Sequence, residues 1–184
     1  TGFFGAHLLK VLLEKTGYPL ICLARRGPES LHQALGWYFG AGLWTAAAGR
    51  IQVITGDITL PRLGLPEETY RALCRQVSQI WHCAADVRHY AADAGSRLTN
   101  VEGTEQVIRL ALDSSAVLHA VSTASISGDF LRTQPETPAV FSEQDFDIGQ
   151  NWQDNVYVQS KVLAEARIYA AMEQEGLQAK VYRL

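Results

Sequence analysis

Short apolar runs alternate along the chain with longer segments in which apolar residues recur every three or four positions. The runs are apolar at consecutive positions, which is typical of strands in a parallel sheet covered on both faces. Strands are predicted at 19–24, 51–55, 79–84, 117–122 and 179–183, and helices at 6–15, 30–47, 67–77, 100–112 and 156–174. This alternation predicts an α/β fold built on a doubly wound parallel sheet.

Residues 135–154 show neither pattern. This stretch is polar and acidic, contains prolines, and has Trp152 near its end. Loops held by a rigid scaffold often carry function, so this one is a candidate substrate lid beside an active site. A plain surface connection between two elements explains the same composition, and the sequence leaves both interpretations open.

The composition is that of one soluble globular domain: 184 residues, of which 47% are hydrophobic and 19% charged. A net charge of −3 and a pI near 5.9 argue against a nucleic-acid-binding or membrane-surface protein. No apolar run reaches the length of about 18 residues that a membrane span requires. The first residues also lack the features of a signal peptide, so we expect a cytoplasmic protein.

The cysteines and histidines give no sign of a disulfide or a metal site. Cys22, Cys74 and Cys83 form no C-x-x-C pair, and two of them lie in apolar runs, so buried reduced thiols are expected. The five histidines are scattered without the spacing of metal ligands, and we assign no metal. His82, inside a predicted strand, is expected to be a packed strand residue.

Tyr157 and Lys161 are the candidate catalytic pair. They stand four residues apart in Y-V-Q-S-K, within the predicted helix 156–174, and therefore share one helix face. A nearby positive charge favours phenolate, so we expect Lys161 to lower the pKa of Tyr157 and make the phenol a usable proton donor and acceptor. Reduction of a carbonyl by a nicotinamide needs such a group.

The first residues form a candidate phosphate-binding loop. Gly2-Phe3-Phe4-Gly5 leads directly into the predicted helix 6–15. Glycine there lets a pyrophosphate approach the backbone, and the helix N-terminus offers free N–H groups and the positive end of its dipole. These four residues are therefore predicted to bind a dinucleotide.

Two arginines suggest which dinucleotide is bound. Arg25 and Arg26 follow the predicted strand 19–24, just over twenty residues after the glycine loop. An acidic residue here would bind the ribose of NAD, whereas arginine suits the 2′-phosphate of NADP. NADPH is the predicted cofactor, although the same arginines could simply solvate a strand end.

Further cofactor contacts are expected where the next two strands end. Asp57 and Ile58 follow the strand 51–55, and Asp57 is placed to accept a hydrogen bond from adenine; a turn-forming aspartate is an equal alternative. Ala84 and Ala85 close the strand 79–84, where small side chains would let the backbone approach the cofactor.

The chain resembles the extended short-chain dehydrogenase/reductases. More narrowly, it resembles the thioester reductase domains that end nonribosomal peptide synthetases, polyketide hybrids and carboxylic acid reductases. The stretches that carry the resemblance are T-G-F-F-G at 1–5, L-A-R-R at 23–26, G-D-I-T-L-P-R-L-G-L-P at 56–66, I-W-H-C-A-A-D-V at 80–87, N-V-E-G-T at 100–104, V-S-T-A-S-I-S-G at 121–128 and Y-V-Q-S-K at 157–161. The resemblance implies a Rossmann-like fold.

The resemblance also implies roles for individual residues. Thr123 matches the hydroxyl residue that helps to hold the substrate oxygen, with Ser122 as a possible substitute. Tyr157 matches the catalytic tyrosine, and Lys161 matches its lysine partner, which should also bind the nicotinamide ribose. Asn100 matches a position tied to the active-site helix and its proton network.

The implied activity is NADPH-dependent release of an acyl or peptidyl thioester from a phosphopantetheinylated carrier protein. The product would be an aldehyde, which some family members reduce further to an alcohol. One alternative is an extended short-chain dehydrogenase acting on a nucleotide sugar, as epimerase or dehydratase, but such enzymes usually prefer NAD. The other is a non-catalytic NADP-binding module, which would have no need of the catalytic constellation.

Both ends of the sequence resemble interruptions within a longer protein. Thr1-Gly2 looks like the middle of a glycine fingerprint whose preceding strand is absent, and Leu184 closes a buried strand. We therefore expect residues 1–184 to be an NADP-binding Rossmann-like domain that lacks its first strand and most of the C-terminal substrate-binding region.

Overall fold

The computed structural model describes residues 2–47, 49–88, 93–133, 140–152 and 155–184. The chain divides into two compact units, Thr1–Tyr70 and Arg71–Leu184. Each unit contains a sheet of parallel strands: two strands in the first and three in the second. The predicted α/β class with parallel strands is confirmed.

The first unit places helices beside a two-stranded sheet. Its elements are α1 (Phe3–Lys15), β1 (Leu20–Ala24), α2 (Gly27–Phe39), α3 (Ala41–Ala46), β2 (Ile51–Thr55) and a 3₁₀ turn (Pro61–Gly64). β1 and β2 pair in register from Leu20 and Ile51 to Ala24 and Thr55. Their helix-facing side packs on a core of leucines from α1 and α2, which removes these side chains from water. The helix α4 (Glu67–Gln76) crosses the boundary between the units.

One glycine divides a segment that we predicted as a single helix, 30–47. Gly40 has φ of 78° and ψ of 168°, which is incompatible with a helix, and it separates α2 from α3. Positive φ costs glycine little, so the chain can turn at this position. The first of the two helices also begins earlier than predicted, at Gly27.

The second unit carries the strand order β3-β4-β5. Its elements are β3 (Gln79–His82), α5 (Asp93–Arg97), a π-helical turn (Leu98–Glu102), α6 (Gly103–Ser114), β4 (Val117–Ser122), a 3₁₀ turn (Ala124–Ser127), α7 (Phe130–Thr133), α8 (Val156–Gln174) and β5 (Ala179–Arg183). β4 is the central strand, and its consecutive residues Leu118, His119 and Ala120 are all buried. Both faces of β4 are therefore covered, as expected for a central strand of a parallel sheet.

Most predicted boundaries agree with the structure. The strands 51–55, 117–122 and 179–183 and the helix 156–174 have the predicted limits. Other elements begin or end elsewhere: α1 begins at Phe3, β1 begins at Leu20 and β3 ends at His82. α4 ends at Gln76, and the helical path through Asn100 runs from Asp93 to Ser114. Cys22, Cys74 and Cys83 form no disulfide within the described residues, but they are half-buried, whereas we expected buried thiols. Among the helices described, none is both long and apolar enough to span a membrane.

The stretch P-R-L-G-L-P forms a tight left-handed turn. Arg62, Leu63 and Gly64 have φ of 53°, 62° and 69°, and the turn buries Leu63 and Leu65. Gly56 makes this turn possible, because a Cβ at Gly56 would lie 2.7 Å from the Leu63 carbonyl oxygen. The sequence pattern G-D-I-T-L-P-R-L-G-L-P therefore reflects a close backbone approach at the end of β2.

We expect Gly56→Ala to destabilise the protein by about 1–3 kcal/mol, because the added methyl group would force the 61–64 turn away from β2. Gly36→Ala is the matched control: its Cβ would meet nothing within 4 Å. It lies inside α2, where alanine should instead stabilise the helix by about 0.5–1 kcal/mol. Urea unfolding measures both effects, and equal stability of the two variants would contradict the close approach at Gly56.

Candidate active site

The first turn of α8 presents the candidate catalytic tyrosine. The Asn155 side chain caps this helix by accepting a hydrogen bond from the Val158 N–H at 3.2 Å. Capping at this residue fixes where the helix begins, so Tyr157 lies in the first turn and Lys161 one turn later. The predicted arrangement of the pair on one helix is therefore present.

Lys161 connects α8 to the carboxyl end of β4. Its side chain is buried, and Nζ donates a hydrogen bond to the Val121 carbonyl oxygen at 2.6 Å. Burial lowers the pKa of Lys161, while the charges of Glu165 and Cys83 raise it. The bond brings the lysine next to Ser122 and Thr123, which follow Val121 in the chain.

Thr123 begins the 3₁₀ turn 124–127. Its Oγ1 accepts a hydrogen bond from the Ser125 N–H at 3.2 Å, which leaves its hydroxyl hydrogen able to donate. Ile126 of the same turn packs against Val158 and Val162 of α8. The candidate hydroxyl residue and the helix that carries Tyr157 are thus joined by direct packing.

Ser122 differs from Thr123 in its surroundings. Its Oγ is buried and has no hydrogen-bond partner in the part of the chain that the structure describes. A buried hydroxyl without a partner is costly, so this atom is suited to meet a bound polar group at the end of β4.

The pKa expectation for Tyr157 was wrong. The phenol is half-buried beside the cluster that Ile126, Val158 and Val162 form, and this burial raises its pKa instead of lowering it. Removing a phenolate from water is unfavourable, whereas the neutral phenol is little affected. Tyr157 therefore holds its proton at neutral pH, which suits a donor to a developing negative charge.

Asn100 lies in the π-helical turn 98–102 and is fully buried. Its Nδ2 donates to Ser160 Oγ at 2.8 Å and to the Asp86 carbonyl at 2.9 Å, and its Oδ1 accepts from the Asp86 N–H at 2.7 Å. Ser160 Oγ in turn donates to the Tyr157 carbonyl at 2.7 Å. Asn100 thus ties the loop after β3 to the first turn of α8.

Sequence reasoning missed Ser160 and Asp86. Ser160 stands inside Y-V-Q-S-K, three residues after Tyr157, and this spacing could have indicated a backbone hydrogen bond within the helix. Nothing in the sequence links Asp86 to Asn100, because their contact depends on the tertiary fold.

His82 is a packed strand residue, as predicted. Its Nε2 lies 3.0 Å from Thr104 Oγ1, and that hydroxyl donates to the Asn100 carbonyl at 2.6 Å. The hydroxyl hydrogen is therefore already used, so His82 donates from Nε2. Burial lowers the pKa of His82 to about 3, with a further contribution from the Lys161 charge.

The alanines predicted to contact the cofactor lie after β3. Because β3 ends at His82, Ala84 and Ala85 belong to the following loop, where Ala84 is exposed and Ala85 half-buried. The loop continues to Asp86, which Asn100 binds. Small side chains at 84 and 85 leave the backbone of this loop accessible.

Gly128 allows the turn after Thr123 to meet a second segment, 140–152. Gly128 has φ of 56°, and a Cβ there would overlap the Asn151 carbonyl oxygen. Beside it, Asp129 N–H donates to that oxygen at 3.1 Å, and Asp129 Oδ1 accepts from the Asn151 N–H at 2.7 Å. Gln150 adds a bond from Nε2 to the Ile126 carbonyl at 3.1 Å.

The predicted lid, 135–154, is described over residues 140–152; the remainder lies outside the described residues. Phe141, Phe146 and Trp152 of this segment pack with Tyr157 around Ile126, Val158 and Val162. The segment therefore packs on the same cluster as the candidate catalytic residue, whichever of the two predicted roles it has.

In the first unit, α1 begins directly after Gly2. Phe3, Phe4 and Gly5 form its first turn, and Phe3 is 65% exposed. Gly2, Phe3 and Phe4 are exposed, and a Cβ at Gly2 would meet nothing within 4 Å, so there is room for a ligand at the helix N-terminus. The phosphate-binding role of this loop stays a prediction.

Arg25, Arg26 and Asp57 follow the two strands of this unit. Both arginines are exposed, and the charge of Arg25 contributes to the lowered pKa of Asp57, whose largest cause is the hydrogen bond from the Thr59 N–H. Asp57 Oδ1 accepts from that N–H at 2.9 Å and from Thr59 Oγ1 at 2.8 Å. Asp57 therefore forms a turn, and the half-buried Ile58 lies within it.

In the described ranges, no group of three or more His, Cys, Asp or Glu side chains is arranged so that it could hold a metal ion.

Comparison with known proteins identifies one family and several similar sequences. The sequence model of the NAD-binding family described as "Male sterility protein" matches residues 1–184. A linear gramicidin synthase from Brevibacillus parabrevis is 35% identical over 190 residues, which cover 100% of this chain and 4% of that protein. The isonitrile lipopeptide synthase of Streptomyces coeruleorubidus is 33% identical over 189 residues, which cover 100% of this chain and 12% of that protein.

Two solved structures share the fold closely. The terminal R domain from the myxalamid PKS-NRPS biosynthetic pathway has a TM-score of 0.80 and 31% identity, over 99% of this chain and 46% of that one. A thiolation-reductase di-domain from an archaeal non-ribosomal peptide synthetase has a TM-score of 0.81 and 27% identity, over 99% and 49%. The chain thus spans less than half of each of these structures.

We expect the buried His82 to make the protein less stable as the pH falls. Its folded pKa of about 3 lies below the unfolded value, so the unfolded state binds more protons between these two values. Stability should fall below about pH 6.5, with a slope that approaches 1.4 kcal/mol per pH unit. His82→Gln, which retains a donor for Thr104, should flatten this slope in urea unfolding between pH 7 and 4. The control His32→Gln changes an exposed residue and should not; equal slopes in both variants would contradict the assignment.

Proposed function

This chain belongs to the NAD-binding family described as "Male sterility protein", and from that premise we propose that it is an NADPH-dependent thioester reductase. The substrate would be an acyl or peptidyl group bound as a thioester to a phosphopantetheinylated carrier protein, and the product an aldehyde. The domain proposed for residues 1–184 is the NADP-binding, Rossmann-like part of such an enzyme.

One observation carries the proposal. Tyr157 and Lys161 share the start of α8, and Lys161 Nζ binds the Val121 carbonyl directly before Ser122 and Thr123. A phenol that keeps its proton, a buried ammonium and a hydroxyl near one strand end suit the reduction of a carbonyl. A protein that only binds a dinucleotide would not need all three.

Two features of the first unit support NADPH as the proposed cofactor. The open first turn of α1 at Gly2, Phe3, Phe4 and Gly5 suits the pyrophosphate. The exposed Arg25 and Arg26 suit the 2′-phosphate, since guanidinium groups form charge-assisted hydrogen bonds with phosphate.

The remaining predicted contacts concern adenine and the nicotinamide end. We propose that Asp57 and Ile58 contact adenine and that Ala84 and Ala85 allow close approach of the loop after β3. Lys161 would bind the nicotinamide ribose through its ammonium group. Asn100 would act indirectly, because its side chain binds Asp86 and Ser160.

The chemistry follows from the groups present. When bound, NADPH supplies a hydride to the thioester carbon. Tyr157 and Thr123 donate hydrogen bonds to the oxygen on which negative charge develops, each contributing about 3 kcal/mol in comparable sites. Tyr157 then gives its proton to this oxygen, which forms a hemithioacetal, and solvent restores the proton of the phenol. As the carbon–sulfur bond breaks, the hemithioacetal hydroxyl proton passes to sulfur, which releases the thiol and leaves the aldehyde.

A carrier protein is the proposed partner. The archaeal di-domain belongs to a non-ribosomal peptide synthetase, and its name includes a thiolation domain beside the reductase. The matching regions of the gramicidin and isonitrile lipopeptide synthases are 4% and 12% of those proteins, so relatives of this chain occur as parts of much longer synthases. A tethered phosphopantetheine arm would raise the local thioester concentration at the active site.

The direct test is NADPH oxidation by the intact protein with an acyl-pantetheine thioester, and with NADH as the control cofactor. Thioester-dependent oxidation of NADPH with release of free thiol would support the proposal. Turnover of a nucleotide sugar instead would identify the epimerase or dehydratase alternative. NADPH binding without turnover of either substrate would identify a binding module.

We expect Tyr157→Phe to lower kcat by about 10²–10⁴-fold, because the variant loses both a proton donor and a hydrogen bond to the oxyanion. The Kd for NADPH should stay nearly unchanged. Tyr18→Phe is the control, since it removes the same hydroxyl from a residue that is 70% exposed. A Tyr157→Phe variant that keeps most of the activity would remove this tyrosine from its proposed role.

We expect the double variant Arg25→Ala/Arg26→Ala to weaken NADPH binding by at least about tenfold, since each lost charge-assisted hydrogen bond is worth about 1.5–3 kcal/mol. NADH lacks the 2′-phosphate, so its Kd should change little. The control Arg109→Ala/Arg167→Ala removes two other exposed arginines with the same change in net charge. Equal loss of affinity for NADPH and NADH would refute the 2′-phosphate assignment.

A further inference from the structure

Arg183, the last residue of β5, holds the 140–152 segment. Its Nη1 donates to the Asp145 carbonyl at 2.7 Å and to the Ser142 carbonyl at 3.4 Å. Its guanidinium group also lies over the Phe141 ring, 5.7 Å from the centroid. One side chain thus binds the backbone of the segment at two points and one of its aromatic rings.

The other edge of the same guanidinium binds Glu165 on α8. Nε and Nη2 of Arg183 donate to Glu165 Oε2 at 3.2 and 2.9 Å, and the Tyr169 hydroxyl donates to the same oxygen at 3.2 Å. Both charged side chains are withdrawn from water, with 12% of Arg183 and 2% of Glu165 exposed. Breaking a buried pair of this kind is costly, so the guanidinium is held in one orientation.

The aromatic residues of the segment extend this attachment to the catalytic tyrosine. Phe146 packs edge-on against Tyr169, with centroids 5.0 Å apart. Phe141, Phe146 and Trp152 pack on the cluster of Ile126, Val158 and Val162, and Tyr157 packs on the same cluster. These three side chains are only half-buried, so they offer apolar surface on the cluster that also supports Tyr157.

We infer that Arg183, oriented by Glu165, is a positioning residue that fixes the aromatic wall of the acyl-binding site. The inference rests on the proposed function, in which Tyr157 meets the thioester carbonyl. The acyl group must then lie beside Tyr157, and an apolar wall of three aromatic rings suits an acyl chain better than phosphates or ribose. Arg183 therefore controls affinity for the thioester and leaves affinity for NADPH unchanged.

The test compares Arg183→Lys with Arg167→Lys in the intact protein. Lysine keeps the charge that Glu165 requires but lacks the planar fork that reaches both Glu165 and the two carbonyls. Arg167 is the matched control because it pairs from α8 with Glu105 at 2.9 Å, but in an exposed position. If Arg183→Lys fails to fold, the double variant Glu165→Gln/Arg183→Gln removes both charges of the pair together; because Glu165 also supports the Lys161 ammonium, only the exchange measurement is made on this variant.

Two readouts separate the inference from the proposed function. Hydrogen–deuterium exchange of a peptide within 140–152 should be at least about tenfold faster in the Arg183 variants, because local opening costs less. KM for the acyl thioester should rise about tenfold with kcat within about threefold, as expected when binding rather than chemistry is affected. Arg167→Lys should match the wild type in both measurements.

Unchanged exchange in both Arg183 variants would overturn the inference, and so would faster exchange with an unchanged KM. If the wild-type protein oxidises no NADPH with any thioester, the proposed function fails. The exchange data then still decide whether Arg183 holds the segment against α8.

Discussion

The hydrogen bond from buried Lys161 to the Val121 carbonyl is the interaction on which the candidate site depends. An ammonium ion is costly to bury, and this one is tolerated because it has a fixed acceptor and the charge of Glu165 one helical turn away. The bond sets the position of α8 relative to the end of β4. Lys161 therefore links the helix that carries Tyr157 to the strand that leads into Thr123.

Asn100 provides the second constraint on α8. A π-helical turn places its amide where it satisfies both backbone groups of Asp86 and the hydroxyl of Ser160. Such turns are often found at functional sites, because the inserted residue breaks the regular helical spacing and redirects a side chain. The loop after β3 and the first turn of α8 are thereby held by one fully buried side chain.

The third constraint is the close contact between backbone segments at two positions, each of which requires a glycine. Gly56 lets the left-handed 61–64 turn pack on the end of β2, and Gly128 lets the turn after Thr123 meet Asn151. Both glycines stand directly beside or near residues proposed to bind ligands. A side chain at either position would displace the backbone that supports the site.

The sequence by itself determined the elements and the spacing of the catalytic candidates. Short runs with apolar residues on both sides of the strand alternation identified β2, β4 and β5 with their limits, and Y-V-Q-S-K placed Tyr157 and Lys161 on one helix face. These features depend on near neighbours in the chain, which a sequence pattern records directly.

Only the tertiary structure decided the direction of the Tyr157 pKa shift and the contacts of Asn100 and Arg183. Tyr157 is buried against the cluster around Ile126, on which residues of the 140–152 segment also pack. Arg183 binds Glu165 and Asp145, which lie 18 and 38 residues away in the chain. Desolvation and long-range hydrogen bonds depend on which distant residues share a volume. No local sequence pattern encodes these long-range contacts. We therefore predicted from the sequence that Lys161 would lower the pKa of Tyr157, whereas burial in the folded protein raises that pKa.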